Sequence, residues 1–198
     1  MHTFIPTPCK CMKGDLRRFH NGLCLVCDGT GIKDLLREKT LKHNLEARQP
    51  TLDEYRAFKG AHCSNIYKRL AESWRCPGCQ RTKFQILRWT MLYPKKKNAH
   101  MGWAGGYHTH HDHSSDRHGL SQAPICTLPR FEPTVVCEQC NSADSSAKKK
   151  LALPSAFSFS PSEIRQFVIG YPHGKHFIYY DKAQSIYNSN STRTGIFW

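Results

Sequence analysis

The chain has 198 residues, room for one domain or two small ones with a modest core. Its 29 Lys and Arg against 15 Asp and Glu give +14 at pH 7, spread from Lys10 to Arg193 rather than gathered in one tail. Such a surplus points to nucleic acid as partner, while a mean hydropathy of −0.59 and the lack of any apolar run of spanning length argue against a membrane protein.

The opening MHTFIPTPCKC lacks the apolar stretch of a signal peptide, so a soluble intracellular protein is expected. In that setting the ten cysteines are read as metal ligands rather than disulfides. Cys9-x-Cys11 and Cys24-x-x-Cys27, twelve residues apart, can converge on one structural Zn²⁺ and define an N-terminal zinc knuckle over 1–32.

Residues 33–73 read as a helical connection. Leu35, Leu36, Leu41 and Leu45 share a face of a helix from Lys33 to Gln49 that Pro50 stops. Thr51 with Glu54 is a capping box for a second helix, interrupted near Gly60 and resumed through Ile66 and Leu70.

A second pair of CxxC motifs, Cys76/Cys79 and Cys137/Cys140, stands fifty-seven residues apart, and one Zn²⁺ on these four thiolates would staple both ends of that interval. Within it, KFQILRWTMLY is rich in aromatic and β-preferring residues and is predicted as a strand, PKKKNAHMGWAGG as a basic loop whose Lys95, Lys96 and Lys97 suit phosphates. HTHHDHSSDRH follows, with five histidines and two aspartates. A helix is expected after Cys140, with Asn141 in its first turn and Lys148, Lys149 and Lys150 further along. Beyond it, residues 154–198 read as an α/β extension: Ser160, Pro161 and Glu163 start a helix, HFIYYD is a strand, and a helical turn or two closes the chain. Cys63 and Cys126, outside both quartets, read as buried small apolar residues.

The order CxxC, His/Asp-rich strand, CxxCN opening a helix resembles the HNH, or ββα-metal, nucleases, most nearly their phage recombination endonuclease VII branch. The resemblance rests on HHDH at 110–113 and CEQCNSADSSAKKK at 137–150, and covers roughly residues 74–151. It implies a ββα-metal core over 74–153 within an α+β protein. It also implies metal-dependent cleavage of DNA, with a strand histidine as general base and one divalent ion, Mg²⁺ or Mn²⁺, held beside an asparagine. Two registers fit. One makes His111 the base and His110 an ion ligand; the other makes His113 the base and Asp112 the ligand. Asn141 is a ligand in both, and Asp144 matches an acidic position of the phage branch that could assist. Glu132 stands where many members have a bracing asparagine. Because side chains alternate along a strand, His111 and His113 should share a face. His108, Asp116 and His118 read as peripheral.

The competing reading is a non-catalytic zinc-ribbon module that binds DNA or RNA. A homodimer would suit symmetric double-strand cutting.

Overall fold

The computed structural model describes residues 9, 11, 19–20, 23–24, 26–27, 35–113 and 129–194. The chain divides into two compact units, 1–47 and 48–198. Cys126, Asp116 and His118 lie outside the described residues.

In the first unit, β1 (Phe19–His20) and β2 (Leu23–Cys24) form an antiparallel pair with Phe19 opposite Cys24. Helix α1 spans Leu35–Leu45, and Leu41 is buried.

The second unit is mixed helix and sheet. Thr51 caps α2 (Leu52–Ala57) as its sequence requires: its hydroxyl accepts the Glu54 N–H at 3.2 Å, while the Glu54 carboxylate accepts the Thr51 N–H at 2.9 Å. After a 3-10 turn at Ala61–Cys63 come α3 (Ser64–Arg69) and the one-turn helix α4 (Lys83–Ile86). A hairpin joins β3 (Arg88–Leu92) to β4 (His100–Ala104), and a second antiparallel pair joins β5 (Tyr107–His110) to β6 (Thr134–Cys137). Helix α5 (Glu138–Lys150) leaves β6 directly. Then follow α6 (Pro161–Phe167), the short pair β7 (Val168–Ile169) and β8 (Phe177–Ile178), and α7 (Tyr180–Thr194). Each sheet among the described residues is a two-stranded antiparallel pair.

Small residues decide how α5 packs. Cys140, Ala143, Asp144 and Ala147 recur at helical spacing and are all buried, so one face of the helix lies close against β5 and β6 while Lys149, Lys150 and the serines face out. Phe159, Ile164, Phe167 and Ala183, fully buried, carry the core into the C-terminal segment. Truncating one of these aromatics would cost about 3–5 kcal/mol. Tyr107 is 2% exposed and packs against the rings of Tyr67 and Trp74, which ties the connecting helices to the same core.

Three local expectations are corrected. KFQILRWTMLY is not one strand: Thr82 and Gln85 form a capping box, each satisfying the other's backbone N–H, so the first four residues close a helical turn and the strand begins at Arg88. PKKKNAHMGWAGG is not all loop, because its second half is β4, held in register by Trp103 opposite Trp89. HFIYYD contributes only two strand residues, and the last helix runs fifteen, since Ala183, Ile186 and Tyr187 reach the core at helical spacing.

Candidate metal centres and the histidine site

The four sulfurs of Cys76, Cys79, Cys137 and Cys140 lie within 4.8 Å of one another, and so do those of Cys9, Cys11, Cys24 and Cys27. These eight cysteines are unbridged. In the central set Cys76 to Cys140 is 3.6 Å and Cys79 to Cys137 is 3.7 Å; in the N-terminal set Cys9 to Cys24 is 3.8 Å and Cys11 to Cys27 is 3.7 Å. A tetrahedron with Zn–S bonds of about 2.3 Å has edges of about 3.8 Å. Both quartets could therefore hold a structural zinc ion.

The central quartet is built into the core. Cys137 ends β6, Cys140 sits in the first turn of α5, and the knuckle at 76–79 is so close to that turn that a Cβ at Gly78 would stand 2.8 Å from Cys140 Sγ. The Cys137 N–H donates to Cys76 Sγ at 3.3 Å. Arg81, 3% exposed, donates to Cys79 Sγ at 3.3 Å and to Cys137 Sγ at 3.6 Å. Hydrogen bonds from Cys137, Cys140 and Cys76 hold the Cys79 thiol far below its ordinary range; those from Cys140 and Cys76 hold Cys137 low against the opposing effect of burial. Cys76 and Cys140 are pushed up by the same network, chiefly by Cys137. The buried Arg81 guanidinium would offset the charge of thiolates in this set. In the N-terminal set burial pushes Cys9 up to about 12, and a hydrogen bond with Cys27 raises Cys11.

The segment 171–176 buttresses the central quartet from outside. Arg81 reaches the carbonyls of Tyr171 and Gly174 at 2.9 and 3.3 Å. Gln139 donates to the Gly174 carbonyl and accepts the His176 N–H. His173 donates its N–H to the Gln85 carbonyl and its Nδ1–H to the Leu87 carbonyl, each at 2.8 Å. Burial holds the His173 imidazole below its ordinary pKa, partly opposed by the Leu87 hydrogen bond.

The histidine run begins at the end of β5, against α5. Alternation sends His110 and Asp112 inward, both 1% exposed, while His111 and His113 are partly exposed on the other side with ring centroids 4.8 Å apart. The expected shared face is therefore present. His110 Nε2 lies 2.7 Å from the Phe159 carbonyl, and its Nδ1 lies 3.1 Å from Asn141 Oδ1. Phe131 stacks on the His110 ring. A nitrogen facing a carbonyl carries the proton, so in a neutral ring Nδ1 presents a lone pair to Asn141. That contact is satisfied by a cation, by an imidazolium, or by the amide turned end for end.

The other expected residues have structural partners. Asp112 accepts the Arg130 N–H at 2.8 Å. Asp144 is 1% exposed; one oxygen accepts the Phe159 N–H at 2.8 Å and the other pairs with Lys148 at 2.8 Å. Lys148 is thereby drawn against the helix, while Lys149 and Lys150 are exposed, as are Lys95, Lys96 and Lys97. Both the His113 N–H and its Nδ1 meet the Ser158 hydroxyl. Cys63 is buried as expected, its thiol on the Gly60 carbonyl at 2.9 Å. Glu132 is exposed, and its carbonyl accepts the Thr134 hydroxyl.

Comparison of the chain with protein-family models, with curated proteins and with solved structures gives no match.

Sequence reasoning missed Arg81, Arg130, Ser158 and the Phe159 main chain. A lone serine or a backbone carbonyl far along the chain carries no spacing signal. Arg81 had one, an arginine two residues after a zinc-knuckle cysteine. Among the described residues, no helix is long and apolar enough to cross a membrane.

Proposed function

We propose that the protein is a metal-dependent DNA endonuclease of the HNH, ββα-metal type, and that 74–153 is its zinc-stapled catalytic core. The observation that carries this reading is the approach of His110 Nδ1 to Asn141 Oδ1 at 3.1 Å, where an antiparallel pair of strands meets the helix that follows it. Cis ligands of an octahedral ion with bonds of about 2.1 Å stand about 3 Å apart, so this nitrogen and oxygen fit one divalent ion. Such an ion would polarise the scissile phosphate. An imidazole nitrogen in the ligand set favours Mn²⁺ over Mg²⁺.

His110 and Asn141 would hold the ion, and the Phe159 carbonyl fixes the His110 ring through Nε2. His111 is the general base in this proposal. It lies next in the chain to His110 and is partly exposed, where a water could be deprotonated. Asp112, which accepts the Arg130 N–H, and Asp144, which accepts the Phe159 N–H and pairs with Lys148, brace the site in this reading. The surplus of +14 falls only to +10 when eight thiolates bind two Zn²⁺, so attraction to DNA persists.

One observation favours the non-catalytic reading, a zinc module that binds nucleic acid: His110 is 1% exposed and has a neighbour at each ring nitrogen, as a purely structural histidine would. Supercoiled plasmid with Mn²⁺ or Mg²⁺, with and without EDTA, separates the two. Nicking by wild type that fails in Asn141→Ala and His111→Ala but survives in His113→Ala is the expected result. Absence of metal-dependent nicking on linear, supercoiled and branched DNA would sink the enzyme reading, and full activity in Asn141→Ala would sink the site.

A further inference from the structure

The β3–β4 hairpin has a composition that its packing does not use. From Arg88 to Ala104 it carries Arg88, Lys95, Lys96 and Lys97 and no acidic residue. Its strands pair Trp89 with Trp103 and Met91 with Met101, so all four side chains lie on one face. The inner half of that face is covered: the Arg48 guanidinium lies 4.0 Å from the Trp89 ring centroid and 5.0 Å from that of Trp103, and Arg48 is itself paired with Glu54. The outer half is exposed, with Lys96 and His100 beside the Tyr93 ring. Met91 and Met101 are each 46% exposed, Tyr93 is 49% exposed, and residues 93–101 are exposed without a break. On the opposite face, Leu92 folds over Gly102 so tightly that a Cβ there would meet it at 2.7 Å, which keeps the ribbon thin.

A thin two-stranded ribbon, with strands about 5 Å apart, fits a groove of duplex DNA. Lysines at a ribbon tip meet phosphates, and unbranched apolar side chains such as methionine can press between base steps and unstack them. We propose that this hairpin grips duplex DNA, with Lys95, Lys96 and Lys97 on the phosphate backbone and the Met91–Met101 pair as an apolar wedge against the bases. The occupant is set by charge: a cationic tip with no acidic residue calls for a polyanion, and the adjacent apolar pair calls for one with stackable bases. The inference rests on the nuclease reading only for the choice of DNA as the polymer, and adds how that substrate is held.

The test uses the full zinc-loaded chain in EDTA-free buffer without added Mg²⁺ or Mn²⁺, and a fluorescent duplex containing 2-aminopurine. Lys95→Ala/Lys96→Ala/Lys97→Ala should weaken binding and lower the slope of log K against log salt by about 2.7, three phosphate contacts' worth. Met91→Ala/Met101→Ala should leave the slope unchanged, weaken binding by about tenfold and abolish the rise in 2-aminopurine fluorescence that reports unstacking. Both sets of side chains are exposed, and zinc content with a thermal melt confirms that each variant is folded. Wild-type binding by either variant overturns the proposal, as does a preference for single-stranded DNA or RNA over duplex. Because this readout is binding, a wild type that binds through the ribbon yet never nicks plasmid refutes the nuclease alone. Nicking that is unaffected in both variants, together with unchanged binding, refutes the ribbon alone.

Discussion

Cys9, Cys11, Cys24 and Cys27 close a span of twelve residues, with Cys24 in a two-residue strand, whereas Cys76, Cys79, Cys137 and Cys140 sit in or against the core and close fifty-seven residues. Chain entropy separates the two only slightly: closing the longer loop costs the unfolded chain about 1.4 kcal/mol more. Among the described residues, the central sulfurs also meet groups outside the quartet. The central set has a buried arginine, a backbone N–H donor and the 171–176 buttress. The two ligand sets thus differ in the span they close, and the central one is the point through which β6, α5 and the C-terminal segment are joined.

The strongest challenge to that contrast is to remove one ligand from each quartet. Cys140→Ser should abolish cooperative unfolding of the 48–198 unit, because a structural zinc contributes on the order of 10 kcal/mol. Cys24→Ser should lose one zinc by metal analysis and keep the main calorimetric transition within a few degrees. Loss of the main transition in Cys24→Ser would erase the distinction. Next in size is Arg81→Met. Removing a buried charge from between two thiolates should cost about 3–5 kcal/mol and weaken the central zinc by about 10- to 100-fold, seen as early zinc release to a chelator from one site only. Thr82→Ala removes a helix cap just beyond the knuckle and should cost about 1 kcal/mol in a denaturant melt with both zinc ions retained.

The smallest effect concerns pH. His173 is neutral in the fold because burial lowers its pKa, while the unfolded chain takes up a proton at the ordinary value. Its contribution is thus complete above the ordinary histidine pKa and declines as pH falls toward the lower folded value. Melts from pH 7.5 to 5.5 in zinc-containing buffer should show a shallower loss of Tm in His173→Asn than in wild type. An identical slope would mean that the buttress does not titrate.

What could be read from residues alone was whatever short-range rules govern. The boxes at Thr51/Glu54 and Ser160/Glu163 were legible because both partners lie within three residues. The two quartets were legible because thiolate pairs advertise a metal. The Thr82/Gln85 box was hidden by the β-preferring residues that follow it, and β4 by the lysines and glycines around it. For the candidate site, one of the two registers that the resemblance allows puts His110 beside Asn141, and strand alternation puts His111 and His113 on one face. The sequence held no sign that Phe159 would lie against His110 or Ser158 against His113, since contacts forty-five and more residues apart are set by packing of α6 and α7 on α5.

Phe159 uses both of its main-chain groups at this place, its carbonyl on His110 and its N–H on Asp144. During synthesis, then, all four central cysteines have been added by residue 140, while the anchor for His110 is added nineteen residues later. A chain that stops short of Phe159 has all four cysteines, but its His110 imidazole and Asp144 carboxylate each lack one hydrogen-bond partner. The segment that looks like an appendage is the one whose arrival marks maturity.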